Sequence, residues 1–356
     1  MPLPNPELIG LPAPSWLLQF LLVLTFVLHI VPMSITLGGT VLATVFEIRG
    51  RLQKSADFKA LAGKLWSTLP SVTAFTVTLG VAPLLFVQLI YGKFFYPASI
   101  LTGWSWFAVI PVLIVAYYLL YLQAMGPKDG GWRVWAGLVS MVLFMGIAGI
   151  YVSTMGLTVE PEGWKAIYAE SQKGLYFLAS APRWLHVFFG ATAMAGALVM
   201  LFGHLAKEDG LSNLARKCGM TWLTISLVVQ VPVSIWYLST FADAARAAVT
   251  MLFPVAAAAL AGVALVLAFM GLKGAKRPLN AWLTLGAMVL STALLAVQRH
   301  LVRQALLSPK IDLAADWKLS PQWDVFTIFA LLLVFTLGLI GYMVLRFMRS
   351  SSPRHS

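Results

Sequence analysis

Residues 181–206 read APRWLHVFFGATAMAGALVMLFGHLA. From Arg183 to Lys207 this stretch carries no fixed charge, only the two histidines His186 and His204. A helix of about 20 mostly apolar residues crosses the hydrocarbon of a bilayer, so the stretch reads as a membrane span. Eight further runs of this kind lie near 16–47, 66–91, 103–123, 133–155, 218–240, 248–271, 280–303 and 323–347. The composition agrees. Of the 356 residues, 60% are hydrophobic and 11% charged, whereas a soluble surface needs about 25% charged residues. Mean hydropathy is +0.84. The chain is therefore expected to be all-α: a polytopic membrane helix bundle of about nine transmembrane helices, forming a single domain over residues 1–356. No internal repeat, low-complexity tract or separate soluble domain is visible. The first apolar run is too long for a cleavable signal and lacks a basic segment before it.

Lysine and arginine set the orientation. With the N-terminus outside and the C-terminus cytoplasmic, sixteen of the 25 basic residues fall on the inner side and nine on the outer side. The net charge of +12 then belongs to a face turned toward anionic lipid, not to a nucleic-acid surface. Trp16, Trp104, Trp132, Trp164, Trp184, Trp282 and Trp323 fall near span ends, as an aromatic belt does. The first span, with 32 residues, would extend about 48 Å against a core of about 30 Å. Its excess is expected to protrude outward, which puts His29 in the outer half of the bilayer.

Polar groups inside lipid are costly and need a reason. His29, His186 and His300 all fall toward the outer side. His204, 18 residues beyond His186, falls at the inner end, where an imidazole beside Lys207 is expected to be solvated. Neutral imidazole is a common axial ligand of haem iron, and methionine is a frequent second ligand. A zinc site needs a close cluster of donors, and the single Cys218 excludes a thiolate cluster or an internal disulfide. There is no CxxCH, so no haem is attached covalently to this chain. Arg183 lies one turn outward of His186; Arg299 and Arg303 flank His300; Arg246 precedes Met251 by five residues. A haem is an apolar disc with two carboxylates, and guanidinium is their natural partner. The pattern predicts haems near the outer face with propionates turned outward. Against this stand plainer roles: a histidine as a hydrogen-bonded packing residue, a methionine as a gap-filler, an arginine as a snorkelling anchor.

These residues resemble subunit I of the cytochrome bd quinol oxidases. HIVPMSITLGG, from His29, is similar to the family's first-helix histidine segment, and APRWLHVFFGATAMAGA to the helix bearing its low-spin haem b histidine, here His186. AARAAVTMLFP is similar to the segment holding its arginine and methionine ligand, here Arg246 and Met251. QRHLVRQALL resembles its Glu-x-Gly-Arg-Gln-Pro-Trp stretch: Arg303 and Gln304 fall on the Arg-Gln, and His300 on the glutamate that ligates high-spin haem b. The resemblance implies a haem b on His186 and Met251, a second haem at His29 and a third at His300, so two or three b haems. It implies iron ligation by all four, with Arg183, Arg246, Arg299 and Arg303 in the cofactor-binding set.

Compared with that family, the chain resembles a short bd-like member without the quinol-binding loop, because the expected sixth and seventh spans are joined only by about FADAARAA. The third span, GWSWFAVIPVLIVAYYLLYLQ, holds no acid where the family has two. The leading expectation is a b-haem electron-transfer subunit of a respiratory complex, an oxidoreductase subunit in a bacterial or archaeal cell (inner) membrane. It would move electrons between quinone or quinol and a partner redox protein. Such partners would be other membrane subunits, with a c-type cytochrome or an iron–sulfur protein among them. The alternative is a terminal bd-type quinol oxidase reducing oxygen to water, with haem d possible. A third reading is a cofactor-free transporter or scaffold, with Pro32, Pro83, Pro111, Pro232 and Pro254 breaking its helices.

Overall fold

The computed structural model describes residues 10–169, 173–241, 251–273, 278–311 and 319–351. Their helices are α1 (Ser15–Leu52), α2 (Ala56–Thr102), α3 (Trp104–Met125), α4 (Trp132–Leu157), the short α5 (Trp164–Ala169) and α6 (Lys173–Ala179), α7 (Ala181–Leu205), α8 (Asp209–Ser239), α9 (Leu252–Lys273), α10 (Pro278–Leu307) and α11 (Trp323–Ser351). Among the described residues nine helices are long and apolar enough to cross a membrane, and the only bridge is an isolated parallel one between Leu11 and Leu319. The chain is a multi-pass, all-α membrane protein.

The second helix runs well beyond the expected 66–91. At its start Ser55 caps it, accepting a hydrogen bond from the Phe58 amide, with Asp57 in the first turn, where a carboxylate suits the helix dipole. At Tyr91 the backbone leaves helical geometry (φ −122°, ψ 25°) and then resumes. Pro97, whose ring displaces the carbonyl four residues back, follows this break. The helix ends at Gly103, whose positive φ of 45° suits a residue without a Cβ.

α1 is the central helix. It packs along α2 and α7 and also touches α4 and α10. Small residues permit this. A Cβ on Gly38 would collide with the Ala191 carbonyl of α7, and one on Gly219 of α8 with the α7 backbone at Met200. Such close approach is how helices associate in lipid, where hydrophobic burial gives no drive. Thr36, Thr73 and Thr76 link α1 to α2 through their hydroxyls. α11 stands at the periphery: none of its best apolar window is buried.

At the inner end, buried Glu47 of α1 accepts from Arg51 (2.9 Å) and pairs with buried Arg133 of α4 (3.4 Å). Arg133 also donates to the Gln123 and Pro127 carbonyls, and Gln123 donates back to the Arg133 carbonyl. This ties α1, α3 and α4 together. Removing one partner of a buried pair strands a charge and costs about 3–5 kcal/mol, whereas a half-exposed pair contributes about 1 kcal/mol or less. Arg133→Ala is therefore expected to lower the thermal unfolding midpoint in detergent far more than Arg51→Ala; equal effects would show that Glu47 is not held chiefly by Arg133.

Candidate functional site

Counting along the helices at about 1.5 Å per residue, His186 lies five residues below the outer start of α7, and His300 seven residues below the outer end of α10. His29 lies fourteen residues below the start of α1. α1, α7 and α10 pack on one another, so the three imidazoles share one region of the bundle.

Arginines connect them. Arg299 lies close enough to His29 and to His300 to act on both electrostatically. It is also in range of Arg183, Arg303, Tyr237 and Tyr151, and Arg183 is in range of His186. The Arg299 guanidinium sits over the Phe26 ring, 4.5 Å from its centroid, and that of Arg303 over Tyr91 at 5.4 Å. Arg183 donates to the Val152 carbonyl at 3.4 Å. Among the described residues, neither Arg299 nor Arg303 has a carboxylate within ion-pairing distance. The region thus gathers three guanidiniums, flanked by three phenols, in low dielectric. Outside the membrane, Glu160 is the acid in range of Arg183; burial pushes its carboxyl above the ordinary value, and Arg183 opposes that rise.

The imidazoles differ in what holds them. His29 Nδ1 lies 2.9 Å from the Thr76 carbonyl, which can only accept, so the proton sits on Nδ1 and the Nε2 lone pair is left for a ligand. Gly80 makes this possible: a Cβ there would lie 2.8 Å from the ring. His186 Nδ1 lies 2.8 Å from Gln230 Nε2 and 3.2 Å from Ser234 Oγ, and its Nε2 has no hydrogen bond. Its ring tilts against Tyr237, 5.6 Å between centroids. His300 is engaged the other way round. Its Nε2 approaches Gln19 Oε1 at 3.3 Å, an oxygen that also accepts from Gln304, while Nδ1 is buried without a partner.

Arg299 Nε, His300 Nδ1, Tyr91 Oη beside Arg303 and Gln230 Oε1 beside His186 are buried without hydrogen-bond partners among the described residues, as are Trp66 Nε1, Gln123 Oε1, Arg216 Nε and both His204 nitrogens elsewhere in the bundle. Among the described residues no three His, Cys, Asp or Glu side chains gather closely enough to hold a metal ion.

The other expected site residues stand apart. Met251 precedes α9 and is 59% exposed, and no described contact joins it to His186. Arg246 lies outside the described residues. His204 is not solvated as expected: it is 5% exposed, with neither ring nitrogen partnered, because α9 packs over it at Gly271. Sequence reasoning missed Gln19, Thr76, Gly80, Tyr91, Gln230 and Ser234. The amides and hydroxyls inside apolar runs were the available signal.

No family model matches the sequence, and no curated protein matches it. Among solved structures, a chain of the bd oxidase from Geobacillus thermodenitrificans superposes with a TM-score of 0.75 at 13% identity, over 97% of this chain and 100% of that one. The fold is that of a bd-type oxidase. At this identity the likeness speaks for the helical framework alone.

Arg299 is half-buried and has no counter-ion among the described residues, and such a cation destabilises the protein even when an aromatic face offsets about 2 kcal/mol of the cost. Arg299→Met is therefore expected to raise the unfolding midpoint of the ligand-free protein, by the equivalent of about 1–4 kcal/mol seen when buried ionic groups yield to packed apolar ones. A lower midpoint would mean that Arg299 is satisfied without a ligand.

Proposed function

We propose that this chain is a membrane-embedded electron-transfer subunit of a respiratory complex, binding b-type haem in the outer half of the bundle. One observation carries the reading: Arg183, Arg299 and Arg303 converge beside three imidazoles, and no carboxylate pairs with Arg299 or Arg303 among the described residues. The propionates of a haem would supply anions for these guanidiniums. The framework likeness to a bd oxidase is consistent with this.

His29 is the ligand best prepared, its Nδ1 held by the Thr76 carbonyl; His186 would need its proton on Nδ1, where Ser234 Oγ can accept it. His300 would need to turn from Gln19 before it could ligate through Nε2. Met251 would need to move inward to complete a His–Met pair with His186. When bound, iron porphyrin supplies reversible one-electron chemistry at potentials set by its axial ligands and surroundings. The protein's part is to exclude water with the apolar helices, fix the imidazole rings and neutralise the propionates. Electrons would pass between the quinone pool and a partner redox subunit. Among the described residues no acid is buried in the outer region; Glu47, the buried acid among them, is paired at the inner end. A subunit that moves electrons does not need the proton supply that oxygen reduction demands.

The test is a dithionite-reduced minus oxidised spectrum of the protein purified from its native membrane. Bands of b-type haem alone are expected, and His186→Ala removes one low-spin component. Gly80→Ala, which presses on the His29 ring, lowers haem content without unfolding the bundle. A chlorin band or carbon monoxide binding to high-spin iron would transfer the chain to the oxidase class. A flat spectrum from folded protein would remove haem altogether.

A further inference from the structure

At the inner end of the bundle a cleft of about 220 Å³ lies between the first turns of α2, the end of α7 and the start of α8. α8 packs on both of the other helices. α7 closes at Ala206, which is extended, and the chain re-enters a helix after Glu208. Leu61 of α2, Phe202 of α7 and Ala215 of α8 line the cleft and are buried, so they form its floor. Lys64, Lys207 and Glu208 line it too and are exposed, so they form its rim. Lys64 stands three residues from Leu61, one turn along the same face of α2. Its ammonium lies 5.9 Å from the centroid of the Phe202 ring.

The lining has a chemical direction. Lys64 comes just before the apolar run that opens at residue 66, and Lys207 comes two residues after the end of α7. Both ammoniums therefore stand at the level of the lipid headgroups, on the side where basic residues are in excess and anionic lipid is attracted. Lysine holds its charge at that level while its stem covers apolar surface, which is how Lys64 meets Phe202. Two lysines and Glu208 leave the rim with one net positive charge, and a single phosphodiester neutralises it. A zwitterionic lipid leaves that charge uncompensated. A soluble phosphate leaves the apolar floor without hydrocarbon.

We propose that this cleft binds a monoanionic phospholipid of the cytoplasmic leaflet, with the phosphodiester between Lys64 and Lys207 and an acyl chain against Leu61, Phe202 and Leu211. The bound lipid adds a bridge between α2 and the turn that joins α7 to α8. The site uses none of the outer histidines or arginines, so it stands whether or not the chain binds haem.

The experiment is native mass spectrometry of the full chain, purified in detergent, stripped of lipid and incubated with an equimolar mixture of phosphatidylglycerol and phosphatidylcholine of identical acyl chains. The parent retains one phosphatidylglycerol over phosphatidylcholine by about tenfold, the order expected of two cations acting on one phosphodiester. Lys64→Gln combined with Lys207→Gln removes that preference. Lys54→Gln combined with Lys128→Gln, which takes two exposed lysines of the same membrane side from outside the cleft, keeps it. Ala206→Phe fills the cleft, leaves both lysines in place and removes the retained lipid. Should the Lys64 and Lys207 pair of changes prevent folding, Ala206→Phe still carries the test. Equal retention of the two lipids by the parent overturns the proposal. An equal loss of preference in the Lys54 and Lys128 variant also overturns it, by showing a diffuse surface charge in place of a site. Undiminished phosphatidylglycerol retention in Ala206→Phe does the same for the cleft, and displacement of the lipid by inorganic phosphate makes it a soluble-anion site instead.

Discussion

A guanidinium in low dielectric without an anion costs several kcal/mol, and among the described residues no carboxylate pairs with buried Arg303 or with half-buried Arg299, with Arg183 nearby. At the inner end buried Glu47 is matched by Arg51 and Arg133, while buried Arg216 donates to the Gly271 and Leu272 carbonyls with no carboxylate beside it among the described residues. A ligand that brings two carboxylates would match the guanidiniums of the outer half.

The framework serves that arrangement. Glycine and alanine contacts bring α1, α7 and α8 into close approach, and threonine hydroxyls fix α2 against α1. The break at Tyr91 lets α2 continue outward beside Arg303. Each imidazole is then held by a different helix: His29 by α2, His186 by α8, His300 by α1. The angle of each imidazole ring is therefore set by helix packing rather than by a loop.

The crossings were legible in the sequence because lipid forbids charge over about 20 residues, and Arg183 and Lys207 bracket one such interval without ambiguity. The placement of His186 and His300 near the ends of their helices followed from counting turns. What could not be read was the azimuth of each helix. Thr76 lies 47 residues from His29, and Gln230 44 residues from His186; no local pattern links such pairs. The extra turns of α2 were hidden because Lys93 and Pro97 look like a loop, yet the helix carries both. His204 misled for a related reason: Lys207 marks the interface, but α9 closes over the imidazole before water reaches it.

The most direct measurement is a cryo-electron microscopy map of the protein purified from its own membrane in a detergent that retains tightly bound cofactors. This account expects a flat, porphyrin-sized density between α1, α7 and α10 in the outer half, with two arms ending at Arg183, Arg299 or Arg303 and an imidazole nitrogen at its centre. Helices closed on one another there, with those guanidiniums bonded to water, lipid phosphate or protein carbonyls, would contradict it.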